Sequence, residues 1–190
     1  MATKVKKTDE VIALDEHLSK SEKFIEKNLK TIVLADNITR IGQYAFSGLV
    51  NLEQILLSEN IDTIGDFAFS ECVSLPSITL PSSVTYIGRW AFEGCTGLSS
   101  ITIPSSVTNI ASAAFSGCNN LTNATINSNS FISQKFSSNN GLKYIFGTQV
   151  KEYTIGGNVE KIGDNAFYEC DNLSQITIPD SVTSIGNYAF

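Results

Sequence analysis

The feature that most constrains this fold is a repeat in which the same residue types return at every twenty-third position. The dipeptide Ala-Phe recurs along the chain, and four of the five intervals between its phenylalanines are equal to this period. The fifth interval equals one regular repeat of 23 plus one longer repeat of 29. The pairs are Ala45-Phe46, Ala68-Phe69, Ala91-Phe92, Ala114-Phe115, Ala166-Phe167 and Ala189-Phe190. A period of this length is typical of solenoids, in which each repeat is one supersecondary unit stacked on its neighbours.

One frame, L-x-x-I-x-I-P-x-x-V-T-x-I-G-x-x-A-F-x-x-C-x-x, covers nearly all of the chain after residue 28. On this frame we divide residues 29–190 into seven rungs, with an irregular 29-residue rung at 121–149 and a last rung cut short at Phe190. The rungs begin at Leu29, Leu52, Leu75, Leu98, Leu121, Val150 and Leu173.

The apolar spacing within a rung predicts strands. In the stretch LSSITIP, residues 98–104, Ile101 and Ile103 alternate with polar residues, which is the period of a half-buried strand. Proline ends this strand, and the V-T-x-I segment after it predicts a second short strand. The glycine that follows marks a bend where a side chain would hinder the backbone. One unit cannot bury its apolar face alone, so we predict a β-rich, right-handed solenoid of parallel stacked rungs with short helical turns.

The two ends of the chain differ from the regular rungs. Residues 1–28 predict an N-terminal helical cap, because Val11, Leu14, Leu18 and Ile25 recur at helical steps among charged residues. Solenoids need a polar outer face at each end; a partner-binding helix is the alternative. At the other end the sequence stops within a rung. We therefore expect a fragment of a longer array or an open edge met by another chain, hence a monomer or an edge-paired dimer.

The irregular rung at 121–149 is rich in Ser and Asn and lacks the Ile-Gly and Ala-Phe anchors. We expect its apolar residues to hold it against the core; they are Phe131, Phe136, Tyr144, Ile145 and Phe146. Two interpretations remain open. The segment is a tolerated surface insertion, or a bulging loop that contacts a ligand.

The composition bears on the class of partner. The net charge is −6, and residues 31–190 carry six basic against thirteen acidic residues. An acidic body without basic clusters argues against a nucleic-acid partner. The chain has no run of about 18 apolar residues, so no membrane span is predicted. Its N-terminus also lacks the continuous apolar segment that a secretion signal needs.

Neither the cysteines nor the histidine predict a reactive centre. Cys72, Cys95, Cys118 and Cys170 share one slot of the frame, which Leu49 fills in the first full rung. A slot that takes either Cys or Leu is an apolar core position, so we predict buried free thiols, without a metal. His17 is the only histidine and has no nucleophile near it in the pattern. We therefore predict that the protein is not an enzyme and needs no cofactor.

The candidate partner-binding residues lie mainly in one slot, two residues before each Phe. This slot holds Tyr44, Phe67, Trp90, Ala113, Asn165 and Tyr188. We add Tyr86 and Arg89, which with Trp90 vary most between rungs. An aromatic column on one face is a candidate protein-binding surface, and the alternative is a stacked ladder that shields the backbone. The polar Thr ladder on the first strands also has two interpretations, a binding face or ordinary strand propensity.

The frame as a whole resembles the BspA-type leucine-rich repeat, the 23-residue class, and rungs such as LSSITIPSSVTNIASAAFSGCNN follow it closely over about residues 29–190. The resemblance implies an α/β-type leucine-rich repeat solenoid. It also implies a protein-interaction or adhesion module at the cell surface or outside the cell, binding a host, matrix or cell-surface protein. A cytoplasmic location is the alternative, because no signal peptide is predicted. A structural or self-assembling spacer without a dedicated ligand is the alternative function.

Overall fold

The computed structural model describes residues 3, 4, 28–137 and 140–190. In this part of the chain most rungs contribute two short strands. The strands, in chain order, are β1 (Thr3–Lys4), β2 (Thr31–Val33), β3 (Arg40–Ile41), β4 (Gln54–Leu56), β5 (Thr63–Ile64), β6 (Tyr86–Ile87), β7 (Ser100–Ile103), β8 (Asn109–Ile110), β9 (Asn123–Ile126), β10 (Glu152–Ile155), β11 (Lys161–Ile162), β12 (Gln175–Thr177) and β13 (Ser184–Ile185).

Equivalent strands of successive rungs pair in parallel, which confirms the predicted stacking. The first strands form sheets in the order β1-β2-β4 and β7-β9-β10-β12, and the second strands form sheets in the order β3-β5-β6-β8 and β11-β13. Ile32 lies opposite Ile55, its equivalent one regular repeat later. Across the irregular rung the longer repeat sets the register, with Asn123 opposite Glu152. Each side chain therefore stacks on its counterpart in the next rung.

The core is a set of columns that run along the solenoid. The phenylalanines of the Ala-Phe pairs stack face to face, with ring centroids 5.3, 5.2 and 5.0 Å apart from Phe46 through Phe69 and Phe92 to Phe115. The leucines that begin the second to fifth rungs are fully buried. Because large aromatic side chains bury much apolar area, the Phe column is a main source of stability.

The Ala-Phe segments are hydrogen-bonded turns. Within a rung, Ala45 N–H donates to the Gly42 carbonyl at 3.3 Å and Ser47 N–H donates to Tyr44 at 3.2 Å. Tyr44 and Phe46, which alternate with these two residues, donate their N–H groups to the next rung, at the Asp66 and Ala68 carbonyls. The turn side thus has its own ladder, with N–H groups that point toward the C-terminal rungs.

The first-strand sheet is interrupted in the third rung, where residues 77–80 form no strand. In other rungs the residue at this start position donates its N–H to the rung before; Glu53 N–H, for example, reaches the Lys30 carbonyl at 2.8 Å. The third rung has Pro76 there, which has no N–H. The missing donor accounts for the break.

The irregular rung is built into the stack. It contains the short helices α1 (Asn129–Ile132) and α2 (Leu142–Phe146). Phe146 stacks on Phe115 at 5.0 Å and continues the Phe column. The expected anchors Phe131, Phe136, Ile145 and Phe146 are buried, whereas Tyr144 is 38% exposed. The predicted N-terminal cap over 1–28 lies outside the described residues, apart from Asn28 and from β1, which pairs with β2.

Candidate functional site

The aromatic slot forms a short stack on the surface of the first three rungs. The Tyr44 and Phe67 rings are 4.8 Å apart at 12°, and the Phe67 and Trp90 rings are 4.9 Å apart at 24°. Tyr44 is 46% exposed, and the other two rings are half-buried. Because the rings cover one another's faces, they present mainly their edges to solvent. Both sequence interpretations fit this geometry, since the stack shields the backbone and also offers a partly exposed aromatic surface.

The backbone at this slot is left-handed in the described regular rungs. Tyr44, Phe67 and Trp90 have φ of 57°, 54° and 53°, and the non-aromatic residues Ala113 and Asn165 have φ of 59° and 54°. Bulky side chains rarely adopt this conformation. The turn geometry imposes it, because the same slot adopts it whatever residue occupies it. This feature is not evident from the sequence, since the slot contains no glycine.

Arg89 covers the Trp90 ring at the C-terminal end of the stack. Its guanidinium carbon lies 4.7 Å from the Trp90 ring centroid, a cation–π contact. Its Nε donates to the Ser112 hydroxyl at 3.3 Å in the next rung, and its N–H donates to the Asp66 carboxylate at 2.8 Å. Tyr44, Phe67, Trp90 and Arg89 thus form one continuous group, which we call the aromatic column.

The other two candidate residues lie apart from the aromatic column. Tyr86 is on β6, in register with Thr63 and Asn109 in the neighbouring rungs. Tyr188 is 77% exposed, and Ala113 and Asn165 occupy the slot between it and Trp90. The sequence pattern singled out six candidate residues, and the structure brings four of them into contact.

A cleft opens beside the irregular rung, with a volume of about 330 Å³, within the size range of ligand sites. We call it the insertion cleft. Its lining comes from the second strand of rung four, with the two residues after it, and from the irregular rung: Asn109, Ile110, Ala111, Ser112, Phe131, Gln134, Lys135, Phe136, Asn140 and Ile145. Phe131 and Phe136 meet edge to face at 5.8 Å and form part of its apolar wall.

The insertion cleft begins in the next rung toward the C-terminus from Tyr86, Arg89 and Trp90. Tyr86 is in register with the cleft residue Asn109, and the Arg89 side chain contacts the cleft residue Ser112. Two regions that the sequence singled out separately, the variable residues of rung three and the irregular rung, therefore adjoin. The cleft itself could not be recognised from the pattern, because its two walls belong to two consecutive rungs and meet only when these rungs stack.

The comparisons with known proteins agree with this architecture. The family model described as the BspA type leucine rich repeat region matches residues 19–143 and 141–190, with six copies. The chain belongs to this family. No curated protein matches it significantly.

Two solved structures share the BspA-type fold seen here. The leucine-rich repeat protein of T. pallidum is 29% identical, with a TM-score of 0.53, over 83% of this chain and 60% of that one. The pneumococcal vaccine antigen PcpA is 23% identical, with a TM-score of 0.59, over 84% of this chain and 36% of that one. This chain thus spans less than two thirds of either protein.

Side-chain hydrogen bonds hold the BspA-type rungs together at the turn before the second strand. Four serine hydroxyls donate to carbonyls of the preceding rung, forming a serine ladder: Ser83 to Ile61, Ser106 to Val84, Ser128 to Val107 and Ser181 to Val159. Thr85, Thr108 and Thr183 do the same nearby. The repeated S-V-T letters are the signal of this ladder in the sequence.

The cysteine slot forms a column of free thiols, as predicted. Cys72, Cys95 and Cys118 are fully buried, and each thiol donates to the carbonyl of a Phe in the rung before, at 3.0–3.2 Å. The pKa of Cys118 is raised mainly by hydrogen bonding with the Cys95 thiol, and burial raises it further. Burial raises the pKa of Cys170 to about 11. Thiols held protonated in this way are poor nucleophiles.

Two further findings concern the described residues alone. No group of three or more His, Cys, Asp or Glu side chains lies close enough there to hold a metal ion. No helix within the described ranges is long and apolar enough to cross a membrane.

Proposed function

We propose that this chain is a non-enzymatic interaction module of a surface repeat protein, and that it binds a host, matrix or cell-surface protein through a broad face. The observation that carries the proposal is the aromatic column of Tyr44, Phe67 and Trp90, capped by Arg89. Aromatic residues and arginine dominate protein-binding hot spots. Membership of the BspA-type family, in which the repeat acts as a scaffold, supports the same function.

Adhesion and surface location are part of this proposal. One structural relative is a pneumococcal vaccine antigen, which is consistent with a surface location. The acidic body of the present chain suits a protein partner better than nucleic acid, since nucleic-acid affinity depends on neutralising phosphates.

The test replaces Tyr44, Phe67 and Trp90 together with Asn and measures binding to a panel of purified extracellular-matrix proteins by surface plasmon resonance. Asn is chosen because Asn165 occupies the same slot at a φ of 54°, so the turn tolerates it. Losing a hot-spot cluster costs about 2 kcal/mol or more, so we expect binding to weaken at least tenfold.

The matched control is Tyr188→Asn, which changes the same slot outside the aromatic column and should leave binding unchanged. Equal binding by the triple variant and the wild-type chain would reject the aromatic column as the interaction surface. Far-ultraviolet circular dichroism of each variant shows that the fold is retained.

A further inference from the structure

The hydrogen-bond ladder of the second strands is broken at one carbonyl. In this ladder, the residue after a second strand donates its N–H to an isoleucine carbonyl of the rung before. Five such bonds have lengths of 2.8–2.9 Å: Gly65 to Ile41, Gly88 to Ile64, Ala111 to Ile87, Gly163 to Ile132 and Gly186 to Ile162. No N–H of the described residues donates to the carbonyl of Ile110.

The unpaired carbonyl faces the insertion cleft. Ile110 lines the cleft and is only 4% exposed. In a parallel ladder the equivalent carbonyls of successive rungs point the same way, so this carbonyl points toward the irregular rung. A buried carbonyl without a donor is unfavourable, because it loses its water without gaining a partner. The fold therefore leaves a hydrogen-bond acceptor open inside a cleft.

The irregular rung supplies a hydrogen-bond donor to the Thr108 carbonyl but not to the Ile110 carbonyl. The Thr108 carbonyl, two residues before Ile110, accepts a hydrogen bond from the Gln134 side chain at 2.8 Å. The gap in the ladder is therefore confined to Ile110. A single extended residue placed in the cleft has the N–H needed to fill it.

The charge of the cleft is opposite to that of the body. Among the described residues that line it, Lys135 is the only charged one, and Arg89 reaches its edge through Ser112. The ion pairs of the described chain join Lys30 to Glu53 and Lys143 to Glu169. Lys135 takes part in neither, so its ammonium is available to an anionic group.

We propose that the insertion cleft binds an extended acidic peptide segment of a protein partner. One peptide N–H donates to the Ile110 carbonyl and restores the ladder, and an Asp or Glu carboxylate of the peptide lies beside Lys135. Main-chain bonding to an open sheet edge supplies affinity, and the side chains on either side supply specificity. This deepens the proposed function, on which it rests for the protein nature of the partner.

The probe is a fluorescein-labelled heptapeptide, Thr-Asp-Ile-Asp-Ile-Asp-Thr, with its C-terminus amidated. Its fluorescence anisotropy is followed as the full chain is added. We expect saturable binding, and at least tenfold weaker binding when Lys replaces each Asp. N-methylation at single internal residues should weaken binding at least tenfold at one position or more, because it removes the donor for Ile110. An acidic sugar, sodium galacturonate, serves as a competitor and should not displace the peptide.

The variant Lys135→Glu should weaken binding of the acidic peptide at least tenfold. The matched control Lys151→Glu makes the same charge reversal at an exposed lysine outside the cleft and should have no effect. Any of four results would overturn the proposal: equal binding of the acidic and lysine peptides, unchanged binding after N-methylation at every internal position, unchanged binding by Lys135→Glu, or displacement by galacturonate.

The two proposals can fail separately. If the triple Asn variant loses matrix-protein binding while Lys135→Glu leaves the peptide affinity unchanged, the interaction face stands and the cleft proposal falls. If the peptide results hold while the triple variant keeps full binding, the aromatic column is rejected and the cleft remains.

Discussion

At the residue scale, the serine ladder adds side-chain hydrogen bonds between one rung and the next. The Ser106 hydroxyl donates to the Val84 carbonyl at 2.6 Å and is half-buried. Satisfying a carbonyl in a tight turn matters because an unpaired buried acceptor loses its water without gaining a partner. The residue beside it, Ser105, is exposed and makes no such bond in the described chain.

We expect Ser106→Ala to lower the free energy of unfolding by about 1–3 kcal/mol, since it leaves the Val84 carbonyl without a donor. Ser105→Ala should change it by less than about 0.5 kcal/mol, as surface substitutions usually do. Urea denaturation followed by Trp90 fluorescence measures both. Equal effects of the two substitutions would contradict a structural role for the ladder.

Two slots of the repeat differ in how much of their structure the sequence predicts. The buried free thiols were correctly predicted at Cys72, Cys95 and Cys118, because an apolar slot that accepts both Cys and Leu has one physical interpretation; Cys170 is only half-buried. The left-handed backbone of the aromatic slot was not predicted. Its residues are Tyr, Phe, Trp, Ala and Asn, and no propensity distinguishes a turn imposed by stacking from an ordinary loop.

At the element scale, the glycine after each second strand sets how closely two rungs approach. A Cβ built on Gly88 would lie 2.6 Å from the backbone nitrogen of Asp66 in the rung before. The fourth rung has Ala111 at this position. The turn-side bond that joins Phe67 N–H to the Arg89 carbonyl has no equivalent there, because Trp90 N–H makes no described backbone bond to Ser112. A side chain at the position after the second strand therefore prevents two rungs from approaching as closely as glycine allows.

We expect Gly88→Ala to destabilise the chain by about 1–3 kcal/mol, the usual effect of forcing extra atoms into a packed region. Gly157→Ala is the control, because its Cβ would meet nothing within 4 Å. That substitution should be neutral or stabilising by up to about 1 kcal/mol. Thermal unfolding followed by circular dichroism gives both values, and a neutral Gly88→Ala would show that the rungs can separate without loss.

At the scale of the whole molecule, the irregular rung joins the rungs before it to those after it. Phe146 stacks on Phe115 at 5.0 Å and meets Tyr153 edge to face at 6.0 Å. Tyr153 in turn packs on Phe167 at 5.0 Å. The column of rings therefore crosses the irregular segment without a gap, and nearest-neighbour stacking of this kind carries cooperativity in solenoids.

We expect Phe146→Ala to cost about 3–5 kcal/mol, as for other buried Phe side chains, because the irregular segment acts as a rung. Tyr144→Ala, an exposed aromatic of the same helix, should cost about 1 kcal/mol or less. Loss of Phe146 should also lower the denaturant m-value if the two halves then unfold separately. A small effect of Phe146→Ala would indicate an appended loop rather than a rung.

The sequence by itself determined the period, the number of rungs, the parallel stacking and the inward columns of Leu, Ile, Phe and Cys. Each follows from the regular repeat of apolar positions, since equivalent residues of stacked rungs must meet. The tertiary structure alone decided where the stacking fails. The open carbonyl of Ile110 and the insertion cleft depend on which groups of adjacent rungs lie within hydrogen-bond distance. That is a property of two rungs in contact, and no single rung's sequence contains it.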